Sequence, residues 1–168
     1  MSKEFIFGVN HRVVVSECNG EYTVMIEATD SKILHFHAKR WSQLVDLEFN
    51  IDRKIEQCNS VKTHLGGGFF ISLSPEFEFV DIRKYNFDQR SGMPQPTGHG
   101  ITLKIDIEWE ALKHVFHEIK QFFPRLSLVR PCSSETDHCN QEAGISCREC
   151  NPFRNEEELY LLNHSHDS

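Results

Sequence analysis

One order of elements is written into this chain twice. Arg12-Val13-Val14-Val15-Ser16 is a β-branched run ahead of Asn19-Gly20, a pair suited to a tight hairpin turn because both residues tolerate positive φ. Tyr22 to Ala28 reads as a second strand, Thr29-Asp30-Ser31-Lys32 as a turn, and Ile33-Leu34-His35-Phe36-His37 as a third strand. The apolar period then lengthens from two to 3.6, with Trp41, Leu44, Val45, Ile51 and Ile55 on one helical stripe. After Leu65-Gly66-Gly67-Gly68, read as a break and linker, the order returns. Phe69 to Leu73 is strand-like, Ser74-Pro75-Glu76 turns the chain, and Phe77 to Tyr85 is a second strand. A loop over 88–100 carries Gly92, Pro94, Pro96, Gly98 and Gly100, and Ile101 to Ile105 is a third strand. Asp106 is the expected N-cap of a helix whose stripe is Trp109, Leu112, Phe116, Ile119 and Phe123, stopped by Pro124.

The two helices superpose at an offset of 68 residues, Ile33, Trp41, Leu44 and Ile51 matching Ile101, Trp109, Leu112 and Ile119. The order of elements matches at the same offset, which makes the repeat a tandem duplication. The fold expected is α+β: two tandem units, residues 1–63 and 64–128, each an antiparallel sheet followed by one helix, with a tail over 129–168. A unit of about sixty residues leaves the back of its sheet uncovered, so the units are expected to pair within the chain as a pseudo-dimer.

Phe79-Val80-Asp81-Ile82-Arg83-Lys84-Tyr85, the Gly/Pro-rich loop, Gly100-Ile101-Thr102-Leu103 and Glu108-Trp109-Glu110-Ala111-Leu112-Lys113 together resemble the positive cofactor four family of transcriptional coactivators. Phe5-Ile6-Phe7-Gly8 and Arg40-Trp41-Ser42-Gln43-Leu44 are similar to the same family in the first unit. The resemblance covers roughly residues 5–57 and 66–123. It implies curved sheets that bind single-stranded DNA, helices that build a dimer interface, a nuclear location, and transcription or replication proteins as further partners. The chain departs from the family at several positions. Gly98-His99 stands where a basic pair is expected, Cys18 and Asn19 replace a phenylalanine and a lysine, and Glu27 replaces a strand arginine. Each unit also has one residue more than the family between the last-strand isoleucine and the helix tryptophan. Arg83 and Tyr85 alone carry over cleanly.

Strand alternation gives an independent view of the second unit. Val80 and Ile82 share one face with Glu78 and Lys84, and the other face carries Phe77, Phe79, Asp81, Arg83, Tyr85 and Phe87. An aromatic row with an arginine in it suits single-stranded nucleic acid, whose bases stack on rings at ~1–3 kcal/mol each. The expected contact set is Arg83, Tyr85, Phe87, Phe77, Phe79 and Lys84, joined by Arg90 and His99 from the loop and Lys104 from the next strand. The plainer reading packs the aromatic row against the other unit or the tail and pairs Arg83 with Asp81. Unit one presents Glu21, Thr23, Met25, Glu27 and Thr29, an acidic face that repels phosphate, and is read as a structural partner. Either pair of its third strand, His35/His37 or Leu34/Phe36, suits the helix-facing side. The histidines read as surface residues or as a His-x-His metal pair.

The formal net charge is −7, with 8 acidic and 3 basic residues in 129–168, so the body is near neutral and the tail is acidic. Cys132, Cys139, Cys147 and Cys150 lie in that tail, and Cys147-Arg148-Glu149-Cys150 has the two-residue gap that lets both thiolates reach one tetrahedral ion. The tail is read either as a zinc site on these four cysteines or as a disordered acidic segment. Residues 155–162 read as a short amphipathic helix or partner motif, and a fold-back over the sheet would compete with nucleic acid. No apolar run approaches the roughly 20 residues of a membrane span, and no secretory signal opens the sequence, so an intracellular protein with reduced thiols is expected. There is no P-loop, dinucleotide fingerprint or nucleophile elbow, and an enzyme is not expected. Two functions stand: a single-stranded DNA-binding protein of coactivator type, or an interaction scaffold that kept the fold and lost the DNA.

Overall fold

The computed structural model describes residues 1–134 and 147–153. β1 (Ser2–Phe7), β2 (His11–Cys18), β3 (Glu21–Glu27) and β4 (Ile33–His37) form an antiparallel sheet in chain order. α1 (Ala38–Asp46) and α2 (Glu48–Glu56) follow. β5 (Val61–Gly66), β6 (Phe69–Ser74), β7 (Phe79–Asp88) and β8 (Met93–Lys104) form a second antiparallel sheet in the same order. A wide, π-type turn over Ile105–Trp109 leads into α3 (Glu110–Phe122). The chain is an α+β fold of two tandem units, each a four-stranded sheet followed by helix.

Asn19 and Gly20 both adopt positive φ, 53° and 81°, and close the β2–β3 hairpin as their side chains predict. Other stretches differ from the sequence reading. The three glycines are a hairpin rather than a linker: Gly66 ends β5, Gly67 and Gly68 turn the chain at φ +60° and +89°, and β6 starts at Phe69. The expected loop over 88–100 is mostly strand. Pro94 and Pro96 lie opposite Phe87 and Tyr85 in β8, an edge strand where a missing N–H on the outer side costs no ladder bond. Phe77 leaves the second strand, because Pro75–Phe77 is a 3₁₀ turn and Glu78 takes φ +59° before β7 begins at Phe79. The first long helix is broken at Leu47 into α1 and α2. Asp106 does not cap α3; instead Glu108 accepts the backbone N–H of Lys104 at 3.0 Å.

Alternation places the cores. Val13, Val15, Val24, Ile26, Leu34 and Phe36 line the inner face of sheet one, and Ile71, Leu73, Val80, Ile82, Ile101 and Leu103 that of sheet two. These and the helix residues Trp41, Leu44, Ile51, Trp109, Leu112 and Phe116 form one continuous cluster. The helices reach across the seam. Phe5 meets Phe122 at 6.4 Å and Tyr22 meets Phe123 at 6.1 Å, so the end of the second unit's helix closes sheet one. α2 lies on β6 in return. Trp41 and Phe116 meet edge to face at 5.3 Å between the units.

Candidate functional site

The pairing register of sheet two sets three outward rows. Ser74, Phe79 and Lys104 form the first, Lys62, Ser72, Asp81 and Thr102 the second, and His64, Phe70, Arg83 and Gly100 the third. A bulge between Arg83 and Tyr85 then shifts the register. Tyr85 comes to rest edge-on to Phe70, 4.9 Å between centroids. The Lys62 ammonium stands 4.1 Å from the Tyr85 ring centre and 5.0 Å from that of Phe70. His64 packs on the other side of Phe70 at 5.0 Å. This face has the composition a single strand needs: rings for bases and an exposed cation for the backbone.

Of the residues singled out from the sequence, Phe79, Arg83, Tyr85, Phe87 and Lys104 lie on or beside this face. Arg83 is occupied within the protein. Its Nε and Nη2 donate to the two carboxylate oxygens of Asp81 at 3.0 and 2.9 Å, and its Nη1 donates to the Thr97 carbonyl at 2.8 Å. It lies flat over Gly100, where an added Cβ would meet its side chain at 2.8 Å. Arg90 is exposed in the β7–β8 turn. Phe77 is exposed on its 3₁₀ turn, off the strand row. Lys84 points the other way: its Nζ donates to the Gly67 carbonyl and lies 5.4 Å from the Phe69 ring. Burial, with the Arg40 charge adding to it, holds Lys84 below the usual lysine value against the pull of Glu149. His99 turns to the first unit, its Nε2 lying 3.1 Å from the Ile33 carbonyl. Lys62, His64 and Phe70 are absent from the set expected from the sequence because residues 61–64 carry no strand assignment there, and because nothing in the run Phe69-Phe70-Ile71 says which phenylalanine faces outward.

In unit one Leu34 and Phe36 face the helix, and His35 and His37 are outward. His37 Nδ1 accepts the Arg40 N–H at 3.3 Å and caps α1. Glu27 on the outward face is paired with Arg12 at 2.5 Å, so the acidity expected there is partly cancelled.

The second cluster is in the tail. The Cys132 sulfur lies 3.6 Å from that of Cys147 and 3.2 Å from that of Cys150, too far for a disulfide. All three sulfurs lie within 4.8 Å of one another and could hold a metal ion. Cys139, His138 and residues 155–162 lie outside the described residues. Burial pushes the Cys147 thiol up, but the N–H of Cys150, the Cys132 thiol and the N–H of Glu149 outweigh it and bring Cys147 below its ordinary value. Backbone N–H groups aimed at the first sulfur of a Cys-x-x-Cys turn favour a thiolate there.

Between those cysteines, Glu149 ties the tail to the body. Arg40 donates from Nε to Oε1 at 2.9 Å and from Nη2 to Oε2 at 2.8 Å, and His37 Nε2 lies 3.3 Å from Oε2. The Gly67 N–H donates to the Glu149 carbonyl at 2.9 Å. Burial would raise the Glu149 carboxyl, yet the hydrogen bonds from His37 and Arg40 and the Arg40 charge hold it at about 2. The glycine run is explained here: a Cβ on Gly66 would collide with the Glu149 carboxylate, and one on Gly67 with the Arg40 guanidinium. Phe153 then reaches the outward face of sheet two, parallel to Phe70 within 2° at 6.5 Å and 6.4 Å from Phe87.

Comparison with protein-family models, with curated proteins and with solved structures finds no match to the chain. Among the described residues no helix is long and apolar enough to cross a membrane.

Proposed function

We propose that the protein binds single-stranded DNA across the outward face of sheet two, as a relative of the positive cofactor four coactivators acting in transcription, replication or repair in the nucleus. The observation that carries this reading is the Lys62 ammonium set over Tyr85 and Phe70, an exposed cation beside an outward ring pair. Phe79, Phe87, Lys104 and Arg90 extend the surface around that centre. Binding of this kind is tolerant of sequence and weakens with salt, because stacking accepts any base and phosphate contacts release counterions. Anisotropy of a fluorescent oligothymidylate at two salt concentrations, with a duplex control, tests it. Salt-sensitive binding selective for the single strand is expected. Absence of binding by the folded protein at low salt would sink the reading.

A second reading is favoured by Arg83, whose guanidinium is spent on Asp81 and Thr97. In that reading the sheet is a scaffold for a protein partner, and the same titration decides between the two.

We also infer that the ion suited to Cys132, Cys147 and Cys150 is zinc. Thiolates are soft donors, and a tetrahedral ion with Zn–S near 2.3 Å places its sulfurs about 3.8 Å apart. The observed separations of 3.6 and 3.2 Å are close to that. The metal would fasten Cys147-Arg148-Glu149-Cys150 to the 3₁₀ turn at Cys132–Ser134.

A further inference from the structure

We propose that residues 147–153 act as a built-in competitor for the single-stranded DNA site, the Phe153 ring standing beside the outward rings where a base stacks and the Glu149 carboxylate seating the segment on the far side of the β5–β6 hairpin, in an Arg40 fork that a strand wrapping the hairpin could reach with a phosphate. The inference rests on the nucleic-acid reading above and adds to it an anion subsite centred on Arg40.

The subsite is shaped for an oxyanion. Arg40 meets Glu149 through two parallel N–H···O bonds of 2.9 and 2.8 Å, the fork geometry that serves carboxylate and phosphodiester alike. His37 adds a third contact at 3.3 Å, and Lys84 stands beside the same hairpin with its Nζ on the Gly67 carbonyl. Arg40, His37 and Lys84 come from the body of the chain, whereas the carboxylate that answers them comes from the tail. The bare backbone of Gly66 and Gly67 admits the anion, since a Cβ at either position would collide with the pair.

The ring end points the same way. Phe153 lies parallel to Phe70 and close to Phe87, beside two of the rings that a base would use. Carboxylate and ring sit on either side of the β5–β6 hairpin, four residues apart in the tail, so one short segment covers both kinds of contact. Cys147 and Cys150 flank Glu149 and gather with Cys132, which keeps the competitor at high effective concentration. A strand that binds must displace it, and the apparent affinity of the intact chain is lowered by the fraction of time the segment is seated.

The test is the oligothymidylate titration on the full chain, its Phe153→Ala variant and its Glu149→Gln variant. Phe153→Ala decides, because it changes no charge and touches no thiol. Its affinity is expected to rise by roughly five- to tenfold, the scale of one stacking contact released. Glu149→Gln is expected to bind more tightly as well, provided its circular dichroism matches that of the parent. Phe153→Ala binding no more tightly than a parent that does bind overturns the competitor while leaving the DNA surface intact. No binding by parent or variants overturns the DNA reading and this inference together.

Discussion

The indole Nε1–H of Trp109 donates to Oδ1 of Asp52 at 3.0 Å, and the two residues belong to different halves of a duplicated chain. The other oxygen of Asp52 takes Lys113 at 2.9 Å, so one carboxylate satisfies a buried indole and a half-buried ammonium together. The positions 68 residues away, Trp41 and Lys120, cannot repeat the bond, because Lys120 has no acceptor to offer. The seam between the units is therefore asymmetric where the sequence repeat would have allowed symmetry.

Replacing Asp52 by Ala strands the buried Trp109 N–H and leaves Lys113 with Glu110 alone. The expected loss is about 1–3 kcal/mol, the usual cost of an unsatisfied buried donor. Asp52→Asn keeps an acceptor for the indole and should lose less. Urea unfolding of the two variants beside the parent checks the order.

Phe70 is the ring on which the proposed surface turns. Phe70→Ala should weaken oligothymidylate binding by about 1–3 kcal/mol, and Lys62→Ala should both weaken it and flatten its salt dependence. Asp81→Asn should act in the opposite direction, since it releases the Arg83 fork toward solvent. Titrations at two salt concentrations separate the three effects.

Metal analysis of protein purified without chelator should find about one zinc per chain, falling toward none in Cys147→Ser. Because the thiols must lose their protons to bind, the metal should be released as pH falls. Zinc content measured across an acid series, with melting followed in parallel, checks both statements.

Partial desolvation at the end of α1, on a residue that is itself exposed, raises the Asp46 carboxyl above its ordinary value, with Lys120 opposing only in part. The folded state therefore holds this proton more firmly than the unfolded chain. Its contribution to stability is complete below the usual carboxylate pKa of about 3.9 and is lost as pH rises through the raised folded value. Asp46→Asn should remove that loss, melting at or above the parent at neutral pH and losing the advantage in acid. Thermal melts across the acid range test the sign.

The repeat made the architecture legible, because alternation and helical spacing are local signals that survive in a single sequence. Val80 and Ile82 turn inward and Asp81 and Arg83 outward, as period two requires. The glycine run misled because its reason is not local: the residues that need the missing Cβ atoms are Arg40 and Glu149, far away in the sequence. Pro94 and Pro96 read as loop in the sequence because nothing local says that β8 is an edge. Half of the candidate site was visible as the β7 aromatics. Lys62, Phe70 and the adjoining Phe153 required the register of β5 against β6 and the path of the tail.

The crossing of the helices, with Phe122 and Phe123 under sheet one and α2 on sheet two, has a consequence for dilution. Two such sheets on separate chains would part as their concentration fell and would exchange partners freely. Joined through residues 57–60, each half meets its mate by an intramolecular step, so assembly is first order and indifferent to how scarce the protein is. A substitution on one half is also never mirrored on the other, which leaves one sheet free to keep an aromatic surface while its twin carries Arg12–Glu27 pairs in the same place.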